Sequence, residues 1–143
     1  AYFAPEKEIL AAIYRALERG VNVRILISRS SNYMDDTNKL TVSKLLGSKH
    51  GSGKLSVFMT DYMLHAKLVM NEKRIITGSC NINKKAFVTL GELCVAADND
   101  DSTFACQVRD SAEALFRSSA QINDSGDISF NHFAAAAEIV IMR

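Results

Sequence analysis

An α/β fold is predicted by three features of the sequence. A well-punctuated amphipathic helix near the N-terminus runs straight into a short β-branched segment, and four more short apolar segments follow it. The 143 residues, 48% of them apolar, are enough for one continuous core and too few for two.

The elements follow in order. Pro5, Glu6 and Glu8 precede Ile9, Ile13 and Leu17 at four-residue spacing, with Gly20 behind them, so a helix begins near Pro5 and stops before Gly20. Residues 21–28, with NVRILIS at their heart, have the length and branching of a strand in a helix-covered sheet. Residues 29–38 are turn-rich, a short helix is predicted over Lys39 to Leu46, and Gly47 ends it. GSKHGSGK then reads as a flexible loop. LSVFM, KLVM from Lys67 and RIIT from Arg74 read as strands, the last two joined by a tight Asn71-Glu72-Lys73 turn. GELCVAAD supplies another strand, and Asp98 to Ser102 offers N-caps for a helix with the core stripe Phe104, Val108, Ala112 and Leu115. SFNHFAAAAEIVIMR is apolar without a clear period, so helix and strand both stay open there.

With 17 basic and 16 acidic residues the net charge is +1, so no global field draws the chain to a polyanion. Cys80, Cys94 and Cys106 are odd in number and show no CxxC spacing, so neither a disulfide framework nor a thiolate zinc site is indicated; they read as small buried hydrophobes. No apolar run approaches the ~20 residues needed to cross a bilayer.

The chemistry-bearing stretch is His65-Ala66-Lys67, followed after the turn by Gly78-Ser79-Cys80-Asn81, with Glu92 on the next predicted strand. Side chains two apart on a strand share a face, so His65 and Lys67 point the same way. A turn centred on Glu72 places Ser79 opposite His65 and Asn81 at the same end. Splitting a phosphodiester requires an activated nucleophile, an acid for the leaving oxygen and donors for the non-bridging oxygens. A neutral imidazole can attack phosphorus while Lys67, Ser79 and Asn81 donate to the phosphate, and Glu92 can hold the far imidazole nitrogen. An HxK alone arises by chance in roughly one chain in five at ordinary residue frequencies, so the weight rests on the whole constellation.

HAKLVMNEKRIITGSCNIN resembles the HxK, acidic residue, GSxxN signature of the phospholipase D superfamily, which includes cardiolipin synthases and single-motif nucleases. AYFAPEKEILAAIYRALERGVNVRILIS is similar to the preceding part of the same fold, so the resemblance spans residues 1–118 and leaves 119–143 as an unplaced C-terminal tail of a single domain. It implies an α/β/α sandwich with a mixed sheet, lacking an N-terminal strand and helix, and a two-step reaction through a phosphohistidine with neither metal nor cofactor. By position it implies His65 as the reactive imidazole, Lys67, Ser79 and Asn81 as the phosphate cradle, and Glu92 as the group orienting the histidine. Glu72 stands where the family usually has Asp, as a supporting acid, and the interval from it to Gly78 is one residue shorter than the commonest pattern. GSCNIN looks closer to the lipid branch, which implies a phospholipid substrate, with nucleic acid as the alternative.

The family builds one site from two such motifs, and this chain holds one. Neither His50 nor His132 has a Lys two residues on, so each reads as a solvated or packed residue. The second half-site is expected from an identical subunit or from an N-terminal half; the start at Ala1-Tyr2-Phe3 without Met favours the latter, with His65 then the leaving-group acid. GSKHGSGKL resembles a P-loop but has the wrong glycine spacing and a strand where a helix is needed. DNDDS resembles a calcium loop, yet Thr103 and Arg109 occupy the Gly and Glu positions, and helix capping explains its acids better. Lys84 and Lys85 read as a solvated face beside the motif. A non-catalytic module is the third reading, motivated by Glu72 and the short interval.

Overall fold

Helix α1 (Lys7–Glu18) forms where Pro5 and the early acids predict it. It ends because Gly20 adopts φ 85°, open to glycine without penalty, which lets the Gly20 and Val21 amides close on the carbonyls of Leu17 and Ala16. The computed structural model describes residues 2–28, 35–49 and 51–141. Strand β1 (Phe3–Ala4) precedes α1, and β2 (Val23–Ser28) follows it.

Helix α2 (Asp35–Gly47) begins four residues before the predicted Lys39. The reason is a cap from a distant element: Glu138 accepts from the Thr37 amide at 2.8 Å and from the Thr37 hydroxyl at 2.7 Å, satisfying donors that local sequence leaves open. Glu138 lies on α5 (His132–Ile141), so the ambiguous last segment is a helix seated on α2, with Ala135 fully buried.

Strand β3 (Leu55–Thr60) pairs in parallel with β2, Val23 opposite Leu55 through Ser28 opposite Thr60, the crossover being α2. On its other edge β3 takes β8 (Ala120–Ile122) antiparallel, which places part of the tail in this sheet. Ile27, Val42, Val57, Met59, Ile122 and Ile128 form the main core between this sheet and α2.

Strands β4 (Leu68–Met70), β5 (Arg74–Gly78) and β7 (Cys94–Asp98) form a separate antiparallel sheet, and β6 (Ile82–Asn83) pairs in parallel with β1. The architecture is mixed α/β, and among the described residues the strands fall into three small sheets. Helix α3 (Lys84–Val88) is capped by Asn83, whose side chain accepts from the Ala86 amide at 2.8 Å. Helix α4 (Thr103–Arg117) is capped by Ser102, while Asp100 accepts from the Ser102 amide, the capping role predicted for DNDDS.

Two sequence expectations about packing are corrected. Of the stripe predicted for α4, Ala112 is buried and Val108 and Leu115 are half-buried, but Phe104 is 45% exposed, and Ala105, outside that stripe, is fully buried. The cysteines are not uniformly buried: Cys94 is exposed, and Cys80 and Cys106 are half-buried.

Candidate active site

His65, Ala66 and Lys67 lie in an extended segment just ahead of β4, not within the strand. The segment is tied to β5 at one point, where the Thr77 hydroxyl donates to the Lys67 carbonyl at 2.9 Å. Lys67 folds back on His65: its Nζ is 3.0 Å from His65 Nε2 and donates to the His65 carbonyl at 2.9 Å. A charged ammonium only donates, so in this contact Nε2 is the accepting nitrogen. The imidazole is exposed and Lys67 half-buried.

The hairpin register differs by one residue from the prediction. Leu68 faces Thr77, Val69 faces Ile76 and Met70 faces Ile75. The Asn71 side chain accepts from both the Lys73 and Arg74 amides, each at 2.8 Å, and the Asn71 amide donates to the Arg74 carbonyl. The turn therefore centres between Glu72 and Lys73, not on Glu72, and Ser79 does not stand opposite His65. Glu72 is exposed at the tip and makes no hydrogen bond or ion pair among the described residues.

Ser79 and Glu92 meet. The Ser79 hydroxyl donates to a Glu92 carboxylate oxygen in a short hydrogen bond and accepts from the Leu93 amide at 3.1 Å, while the Ser79 amide donates to the Leu93 carbonyl at 3.0 Å. Ser79 thus extends the β5–β7 ladder with its own side chain, which is why β7 starts at Cys94 and leaves Glu92 two residues ahead of it. Glu92 holds Ser79; among the described residues no hydrogen bond joins it to His65, contrary to the sequence expectation.

Asn81 is fixed from the N-terminus. Its side-chain oxygen accepts from the Tyr2 amide at 2.9 Å, and the Ile82 amide donates to the Tyr2 carbonyl. Phe3 is anchored in turn to buried Asn38, whose side-chain oxygen accepts from the Phe3 amide at 2.7 Å. With its oxygen engaged, Asn81 presents its NH2 group as a donor. These contacts of Tyr2 and Asn38 are ones that the linear pattern did not single out; the one available signal was the β-prone AYF start.

Apolar surface adjoins these groups. Ala66 lines a groove of about 290 Å³ together with Leu68 and Thr77 on one side and α4 residues including Phe104, Val108 and Leu115 on the other. Tyr62 and Met63, just before His65, and Phe87, Val88, Leu90 and Leu93, between Asn81 and β7, are all exposed. His132 opens α5 and packs edge-on against Phe130, with ring centres 4.5 Å apart. His50 lies outside the described residues. Among the described residues, no group of three or more His, Cys, Asp or Glu side chains converges as metal ligands would.

An antiparallel hairpin in a mixed α/β domain, carrying a paired imidazole and ammonium and followed by a braced hydroxyl and an amide donor, defines a class of anion-handling site suited to phosphoryl groups. The chain belongs to the family described as cardiolipin synthase, PLD-like domain, which matches residues 1–116. Membership supports phosphodiesterase-type activity. Among solved structures the chain is similar to NucT from Helicobacter pylori, with 17% identity and a TM-score of 0.58, covering 85% of this chain and 78% of that one; the likeness shows the fold. No curated protein matches the chain.

Proposed function

We propose that this chain supplies one His–Lys half of a phosphodiesterase site acting on phospholipids, the other half coming from a second histidine-bearing unit. The observation that carries the reading is the 3.0 Å pairing of His65 Nε2 with Lys67 Nζ on an exposed segment. A bound phosphoryl group draws the ammonium onto its non-bridging oxygens and frees Nε2. One histidine of the assembled site then attacks phosphorus to give a phosphohistidine, while the other gives its proton to the leaving oxygen. In the second step that histidine takes a proton from water or an alcohol, which displaces the phosphorus from nitrogen. Lys67 and the NH2 group of Asn81 stabilise charge on the phosphate oxygens, and Glu92 acts as a positioning residue through Ser79.

The phospholipid assignment is favoured by the apolar groove beginning at Ala66 and by the exposed apolar side chains around the site, which suit acyl chains and not a polyanionic strand. Nucleic acid as substrate is the second reading, favoured by the exposed Lys84 close behind Asn81 and the half-buried Lys85 beside it.

The test uses the full-length protein with its second half-site present, phospholipid vesicles and single-stranded DNA as rival substrates, and chelator throughout. Headgroup release from vesicles, abolished by His65→Ala and indifferent to chelator, is the expected result. Turnover that survives His65→Ala, or that requires an added metal ion, would overturn the proposal; preferential cleavage of DNA would transfer the site to the second reading.

A further inference from the structure

Gly78 stands opposite Cys94 in the β5–β7 ladder, and the Ser79–Leu93 hydrogen bonds carry the same register one residue further. Cys80 follows Gly78 by two residues, one step beyond the Ser79–Leu93 pairing, which makes it a diagonal neighbour of Cys94. A Cβ on Gly78 would run into the Leu93 carbonyl oxygen and lie 2.7 Å from Cys94 Cα and 3.1 Å from Cys94 Sγ, so the glycine lets the chain at Leu93–Cys94, sulfur included, come close to the end of β5. Cys80 and Cys94 are both free thiols, the first half-buried and the second exposed. The Cys80 thiol donates to the Asn81 carbonyl at 3.5 Å. Burial foremost, then the neighbouring Cys94 and Glu92 groups, hold the Cys80 thiol above its ordinary range. Cys80 therefore stays protonated beside a partner that solvent oxidants reach first.

We propose that Cys80 and Cys94 form a peroxide-sensitive thiol pair whose disulfide displaces the Ser79–Asn81 segment. The exposed Cys94 sulfur, on losing its proton, attacks a peroxide oxygen, giving a sulfenic acid and hydroxide, which takes up that proton to become water. Cys80 sulfur then attacks Cys94 sulfur, expelling the hydroxyl, which leaves as water with the Cys80 proton. Two thiols and one hydrogen peroxide give one disulfide and two waters, the sulfurs being oxidised and the peroxide oxygens reduced.

Diagonal neighbours across an antiparallel ladder have Cα atoms roughly 7–8 Å apart, whereas a disulfide prefers about 5.5–6 Å. Closing the bridge must move one backbone segment toward the other. Cys94 is held in the ladder, while Cys80 lies past the last paired residue of β5, so Cys80 moves. Ser79 and Asn81 flank it and move with it. The thiol chemistry is independent of the proposed function; the effect on turnover rests on it.

The test treats the full chain with hydrogen peroxide, counts free thiols and maps the linked peptides. The three thiols are expected to fall to one, Cys106 remaining, with a Cys80–Cys94 link that dithiothreitol reverses and that neither Cys80→Ser nor Cys94→Ser can form. The Ser79 and Asn81 amide resonances are expected to shift on oxidation, and turnover to fall by up to roughly 100-fold. Three thiols that persist, or a link through Cys106 or a second chain, would overturn the pair. A mapped link with unmoved Ser79 and Asn81 resonances would overturn the displacement. A mapped link in a chain that never turns over phospholipid or DNA would count against the proposed function and leave the pair standing.

Discussion

The two larger sheets of this domain share one chain and are finished to different degrees. In β2–β3–β8, Ile27, Val57, Met59 and Ile122 are at most 7% exposed and close a core against α2. In β4–β5–β7, Ile75 alone is buried, while Val69, Ile76 and Val95 are 53%, 44% and 55% exposed. The first sheet holds the core; the second adjoins the candidate site and shows apolar surface that the described residues leave uncovered. Stability and chemistry are thus separable here, and a second half-site beside the open sheet would cover surface that is costly to leave in water.

The largest expected effect concerns the site alone. His65→Ala should lower phosphodiester turnover on the order of 1000-fold while leaving the thermal midpoint unchanged, because the imidazole is exposed and packs against no core. A matching loss of stability would show that the two sheets are not separable. Next, Met59→Ala should destabilise the domain by about 2–5 kcal/mol in denaturant titration, and Ile76→Ser by less than about 0.5 kcal/mol. Equal costs would erase the contrast.

A smaller effect is expected at Glu92. Glu92→Gln keeps the shape but weakens a charged hydrogen bond to Ser79, so turnover should fall roughly tenfold with folding unaltered, in line with ~1.5 kcal/mol for such a bond. Unchanged turnover would remove Glu92 from the site. The smallest effect belongs to Arg24 and Glu113, which join β2 to α4 through paired hydrogen bonds while Arg24 stacks 3.9 Å from the centre of Phe116. Hydrogen bonding from Arg24 holds the Glu113 carboxyl below its ordinary 4.5. A depressed folded value means that its stabilisation is present above about pH 4.5 and is lost as pH falls through the lowered value. Both side chains are more than a third exposed, so Glu113→Gln should remove under about 1 kcal/mol at pH 7 and flatten this part of the acid limb.

Local signals that act within a few residues were legible along the chain. Pro5 and Gly20 bound the first helix, Ser102 starts α4, and β-branched runs at Val23, Leu55 and Arg74 became strands. The HxK and GSxN residues fall on neighbouring segments of one hairpin as their spacing implied. The register was not legible, because the Asn71 side chain captured two amides and moved the turn centre by half a residue, enough to slip the pairing by one. The start of α2 was hidden for a different reason: its cap, Glu138, is 101 residues away from Thr37.

The sequence by itself determined the α/β class, through composition and periodicity, and the family, through the HxK and GSxN motif that resembles it. Only the tertiary structure decided which side chains meet which partners: His65 with Lys67, Ser79 with Glu92, and Asn81 with Tyr2. Such meetings turn on the ends of strands, where one side-chain hydrogen bond outweighs any pattern in the chain and resets what lies opposite.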